Sequence, residues 1–264
     1  MDEETRAKLA EVARKHVVFR IPGMDDLNVR RDIVYKTAPG GPLLMDVYYP
    51  PSVASQVPSP LVVIVLGYPD PQSGGRMFGP LTSWARLIAM SGMAAAIYGT
   101  VSPADDVHDV LAYLRENAAS LGVDSLRIGV YAASANVAVA LSLLMRDADF
   151  RCAALLSGFT FDVEGSTVFA EASRQYGFIN ATAGRSIDEL PADVPMFVLR
   201  AGREHFPGIN AALDQFAARA LARNLPLTFV NHATGSHAAD MDDDTDATRR
   251  IIRQVLDFLR LHLV

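Results

Sequence analysis

Six short apolar runs punctuate the chain: Leu61–Leu66, Met93–Tyr98, Arg127–Tyr131, Ala153–Ser157, Met196–Arg200 and Leu227–Asn231. Each is mostly unbroken by polar alternation and is flanked by turn residues or polar groups. That is the signature of strands covered on both faces of a parallel sheet. Between them the apolar positions change period. Val107, Val110, Leu111 and Leu114 recur at helical spacing, as do Leu213, Phe216, Ala217, Ala220 and Leu221, and Ile252, Val255, Leu256 and Leu259. The first of these helices has a start signal in Ser102-Pro103-Ala104-Asp105: a capping hydroxyl, a proline suited to the first turn, and a carboxylate near the positive helix end. Strand and helix alternate, which predicts an α/β fold with a mostly parallel central sheet and helices on both faces.

Ahead of the parallel runs, Arg31–Lys36 and Leu43–Tyr49 are two further strand candidates, joined by the turn-rich Ala38–Pro42. They predict an antiparallel N-terminal hairpin. Residues 3–17 read as a peripheral helix within a lead-in over 1–28. Residues 29–264 read as a single α/β domain. Within it the segment around 158–195 lacks periodicity and is expected to form a small cap-like insertion. No internal repeat, low-complexity tract or linker divides the chain.

Composition narrows the function classes. Half of the 264 residues are apolar and 20% are charged, which excludes a disordered chain. The formal net charge of −6 offers no electrostatic footprint for nucleic acid, so no nucleic-acid partner is expected. The single cysteine, Cys152, excludes an internal disulfide and a multi-cysteine zinc site. The acidic start Met1-Asp2-Glu3-Glu4 is unlike a signal peptide. The uncharged stretch Ile128–Met145 approaches the length of a membrane span, but its Ser134, Asn136 and Ser142 and its change of pattern read as strand, turn and helix. A cytoplasmic protein without membrane association is the expectation.

The most informative stretch is Arg127–Ala138, where a strand runs into a helix with Ser134 at the junction. A serine there is either a helix cap or a nucleophile lifted above the sheet on a sharp turn. The flanking pattern is Ala132-x-Ser134-x-Asn136 in place of Gly-x-Ser-x-Gly. The Tyr35–Thr37 and Leu44–Pro50 segments and the stretch from Asp105 to Asp124 complete a set of motifs by which residues 29–264 resemble the α/β-hydrolase fold, in its carboxylesterase and dienelactone-hydrolase-like branch.

The resemblance implies a triad in the chain order serine, acid, histidine. Ser134 is then the nucleophile, deprotonated by an imidazole that an acid holds in the right tautomer. Four histidines follow Ser134: His205, His232, His237 and His262. His237, in the loop before the last helix, matches the position of the base, with His232 in reserve. Glu204, the first acid after the Met196–Arg200 run, matches the acid; the competing reading is a surface glutamate paired with Arg203, and Asp214 fits worse because it lies in a helix. His205 is a further candidate to face the pocket. The oxyanion hole is implied at the N–H groups of Ala135 and Tyr68, with Gly67 giving the chain room to turn; otherwise the Gly67–Gly75 loop is only a tight turn. No cofactor is implied.

Asp240–Asp246 begins like a calcium loop but lacks its glycine and terminal glutamate, so it reads as an acidic approach to the last helix, and no metal is expected. Cys152 reads as buried, which separates the chain from the cysteine-using dienelactone hydrolases. Together these readings predict a serine carboxylester hydrolase acting on a small-molecule ester. Phe161, Phe169, Tyr176 and Phe178 either line a modest apolar pocket or pack the cap. An inactive binding relative, and a thioesterase or peptidase with the same triad, remain as rivals. Self-association is left open.

Overall fold

The computed structural model describes residues 10–51, 57–70, 74–147 and 149–264. Its strands are β1 (Val29–Ala38), β2 (Gly41–Tyr48), β3 (Ser59–Ile64), β4 (Ala94–Tyr98), β5 (Val123–Ala133), β6 (Cys152–Leu156), β7 (Met196–Arg203) and β8 (Leu227–Ser236). They form one sheet in the order β1-β2-β4-β3-β5-β6-β7-β8. β1 and β2 pair antiparallel, and β2 joins β4 antiparallel. All other pairings, from β4 through β3, β5, β6 and β7 to β8, are parallel. The principal helices are α1 (Gly79–Met90), α2 (Pro103–Glu116), α3 (Asn136–Arg146), α4 (Val168–Tyr176), α5 (Ile209–Ala222) and α6 (Asp246–Leu263).

Every residue of β3, β4 and β6 is buried. Side chains alternate between faces along a strand, so both faces of the central sheet are covered, and this is why these segments are continuously apolar. The outer strands differ. In β8 only His232 and Gly235 are buried and the other positions are part-exposed or exposed, because it closes the sheet at its edge. Leu227–Asn231, expected as a doubly buried run, is therefore a half-exposed edge. The hairpin turn shrinks from the expected Ala38–Pro42 to Pro39 and Gly40, because Ala38 pairs directly with Gly41.

Ser102 does not cap α2 as expected; its hydroxyl donates to Asp105 Oδ2. Asp106 closes the helix entrance instead, accepting from the Val101 and Ser102 N–H groups and from Thr100 Oγ1, each at 2.8 Å. The segment 158–195 contains α4, whose nine residues bury only Phe169 and so carry little periodic signal. Residues 1–9 of the expected N-terminal helix lie outside the described residues. Residues 10–12 are helical, and the chain then runs across the top of α1, with Gly79 N–H donating to Ala13 O and Val18 N–H to Asp240 O. Among the described residues no helix is long and apolar enough to cross a membrane. The uncharged Ile128–Met145 stretch divides into the end of β5, a turn at Ser134, and α3.

Candidate active site

The carboxyl ends of the parallel strands open on one side of the sheet, where ligands of such folds bind. Ser134 stands at the end of β5 with φ 57°, a left-handed conformation that costs a serine energy and here makes the sharp turn into α3. Its N–H donates to Leu156 O at the end of β6, which anchors the turn to the sheet. Ser134 Oγ lies 2.8 Å from His237 Nε2, and His237 Nδ1 lies 2.6 Å from Glu204 Oε2. The structure thus brings together all three residues singled out in the sequence.

Strand register explains how. β7 and β8 run beyond the expected ends at Arg200 and Asn231, and Arg203 pairs with Ser236. Glu204 and His237 are the next residues of the two strands, so the ladder itself sets them side by side. A bulge between Ala201 and Arg203 brings Gly202 against β8; a Cβ there would lie 2.3 Å from Ala233 O.

Glu204 is no surface residue paired with Arg203; only 2% of its side chain is exposed. Its Oε1 accepts from the N–H groups of His205 and Phe206, both at 2.9 Å. Burial alone would push its carboxyl up, but the hydrogen bond and charge of His237 and the two N–H donors outweigh burial and hold it below the usual range. Asp214 is engaged elsewhere, paired with Arg200 at 2.7 Å. His232 is internal to β8, buried, and bonded through Nε2 to Thr248 Oγ1 at 2.9 Å, a packing role. His205 is exposed and stacks on Phe206 at the pocket edge.

The N–H groups of Tyr68 and Ala135, the expected oxyanion donors, have no hydrogen-bond partner among the described residues. Pro71, Gln72 and Ser73 of the same loop lie outside those residues. Sequence reasoning missed what holds this loop. Asn136, which stands where the elbow pattern has glycine, accepts the Gly67 N–H on its Oδ1 at 2.7 Å. Gly67 is needed for close approach: a Cβ would lie 2.9 Å from Ala135 O. The polar side chain in an otherwise small-residue elbow was the available signal.

The serine opens into a cavity of about 630 Å³, lined by His237 and by the rings of Tyr68, Phe159, Tyr176 and Phe178. Of the two readings open for these aromatics, Phe161 and Phe169 take the packing one, against Phe216 and Phe159. Cys152 is fully buried and its thiol is pushed up to about 12 by burial, which keeps it unreactive. The acidic run is spent on protein partners: Asp240 on Trp84, Asp242 on Lys15, Asp243 on Thr248 and Asp244 on Arg249. Among the described residues no three His, Cys, Asp or Glu side chains converge as a metal site.

No known protein family and no curated protein matches the chain by sequence. Solved structures do match. A thermostable esterase from Pseudomonas putida superposes with a TM-score of 0.72 at 15% identity, over 99% of this chain and 90% of that one. A bacterial heroin esterase gives 0.70 at 15% identity, over 100% and 98%. Carboxyl esterase 2 from the mycorrhizal fungus Tuber melanosporum gives 0.67 at 17% identity, over the full length of both chains. At such identities the shared property is architecture, and together with the sheet order and the serine turn it establishes that this chain has the α/β-hydrolase fold.

Proposed function

We propose that the protein is a serine hydrolase that cleaves carboxylic esters of small substrates through an acyl-enzyme. The observation that carries this reading is the hydrogen-bonded relay Ser134–His237–Glu204, with the serine on a strained turn at the floor of an apolar cavity. His237 Nε2 takes the proton of Ser134 as Oγ attacks the ester carbonyl. Glu204, kept ionised, fixes the imidazole with its proton on Nδ1 and stabilises the imidazolium. The Tyr68 and Ala135 N–H groups receive the developing oxyanion. The imidazolium then protonates the leaving alcohol, and water, activated by the same histidine, releases the acid. The esterases that share the fold add support.

The test is hydrolysis of short p-nitrophenyl esters together with fluorophosphonate labelling. Ser134→Ala is expected to lower kcat by a factor on the order of 10⁴–10⁶ and to abolish labelling. Turnover that survives the substitution would remove Ser134 from the mechanism. A wild-type protein that is neither active nor labelled would turn the reading toward a binding module.

A further inference from the structure

We propose that Asp240 is a specificity-determining residue: with the Tyr131 hydroxyl it receives a protonated amine carried by the substrate of the Ser134 site. This rests on the hydrolase reading above and adds the class of ester.

Asp240 lies three residues beyond His237, in the helical turn that follows β8, and lines the same cavity as Ser134. Its Oδ2 accepts from Trp84 Nε1 at 2.9 Å, and among the described residues no cationic side chain pairs with it. Asp240 is part-buried, and two fully buried carboxylates of this protein are treated differently. Asp46 is paired with Arg76, and Asp106 with Lys36 in addition to three further donors. Lys15, which also lines the cavity, is paired with Asp242 at 2.8 Å. A carboxylate removed from water without a countercharge is costly, so one that faces a ligand cavity is a place for a cation the protein does not supply.

A second observation comes from the wall. Tyr131 is fully buried, lines the cavity, and its hydroxyl has no hydrogen-bond partner among the described residues. Its ring lies 4.8 Å from that of Trp84. One carboxylate oxygen and an orphaned phenol are groups that hold an ammonium: an ionic hydrogen bond and a second acceptor. The remaining lining is mainly apolar, as suits the alkyl substituents and chain of an amine ester. Burial pushes the Asp240 carboxyl up, and the Trp84 bond, the His237 charge and the residue's own backbone N–H offset this only in part. A bound ammonium supplies the missing compensation.

The experiment uses pairs of esters that differ only by nitrogen or carbon at one position. Dimethylaminoethyl acetate is paired with isoamyl acetate, placing the amine on the alcohol side. Ethyl dimethylaminobutanoate is paired with its carbon isostere, placing it on the acyl side. The wild-type protein is expected to favour the amine in at least one pair by roughly tenfold or more in kcat/KM, the scale of one charged hydrogen bond. The ratio should fall toward unity in Asp240→Asn, which keeps an acceptor for Trp84, and should shrink in Tyr131→Phe. A wild-type ratio at or below one in both pairs overturns the proposal, leaving the hydrolase reading standing. So does equal loss on both esters in Asp240→Asn, which assigns the residue to the fold or to His237. If none of the esters is turned over, the hydrolase reading fails, and thermal stabilisation of Ser134→Ala decides the remainder. More stabilisation by an amine ester than by its isostere supports the cation site, and equal stabilisation overturns it.

Discussion

Glu204 and Asp240 flank the same imidazole, and the protein solvates them in opposite ways. Glu204 is enclosed and receives three hydrogen bonds, from His237 and from the N–H groups of His205 and Phe206. Asp240 receives fewer donors, the Trp84 side chain and its own backbone N–H. Burial pushes both carboxyls up, but only at Glu204 do the donors win, so its carboxyl falls below the usual range while that of Asp240 rises above it. The contrast shows that burial alone does not set the charge of a carboxylate; the number of donors aimed at it does. A fully solvated carboxylate suits a fixed partner of the histidine. An under-solvated one suits a group that waits for a ligand.

The largest expected effect on this comparison comes from removing the Glu204 charge. Glu204→Gln keeps the side-chain shape but no longer stabilises the imidazolium, and kcat is expected to fall by roughly 10³–10⁴-fold with the fold retained by circular dichroism. Near-normal turnover would assign the acid elsewhere, with Asp240 the first carboxylate to examine.

A smaller loss is expected on the far side of Ser134. Asn136→Ala strips the Gly67 N–H of its acceptor and frees the loop that carries Tyr68. A drop of about 10–100-fold in kcat, with less change in KM, would show that this bond positions an oxyanion donor. A rise in KM alone would mean that the loop only shapes the pocket.

The smallest effect tests the comparison most directly, through thermal stability against pH. Glu204 has a lowered carboxyl in the folded state, so its stabilisation is present above the ordinary carboxylate range and is lost as pH falls through the folded value. Glu204→Gln should therefore lower Tm at pH near 7 by a few degrees, with the gap narrowing in acid. Asp240 has a raised carboxyl, so a penalty on folding grows as pH rises from the ordinary carboxylate range to the folded value, is complete above it, and is absent below the ordinary range. Asp240→Asn should raise Tm near pH 7, again with a gap that closes in acid. Shifts of the same sign in scanning calorimetry would break the contrast.

Much of the fold was legible because it rests on local pattern. The runs at Leu61–Leu66 and Ala153–Ser157 are apolar throughout because both faces of the sheet are covered, and that pattern survives without knowledge of neighbours. Ser134 was legible as a serine at a strand–helix junction, and Glu204 and His237 as an acid and a histidine just beyond later strands. The rest depends on contacts between distant segments. Ser102 carries a good capping side chain, yet Asp106 takes that position because Thr100 and Lys36 lie beside it. Tyr176 and Phe161 are both cap aromatics, and only packing sends one to the cavity and the other onto Phe216. Asn136 looks like a defect in the elbow until Gly67 is brought against it.

By itself, then, the sequence determined the alternation of strands and helices, the serine junction, and the loops that hold the acid and the histidine, since each is written in neighbouring residues. Tertiary structure alone decided that Arg203 pairs with Ser236 and so sets Glu204 beside His237. Among the described residues, it alone left Asp240 without a cationic partner in a cavity wall shared with an orphaned tyrosine. Register and desolvation are properties of surfaces meeting across the fold, and no stretch of chain carries them on its own.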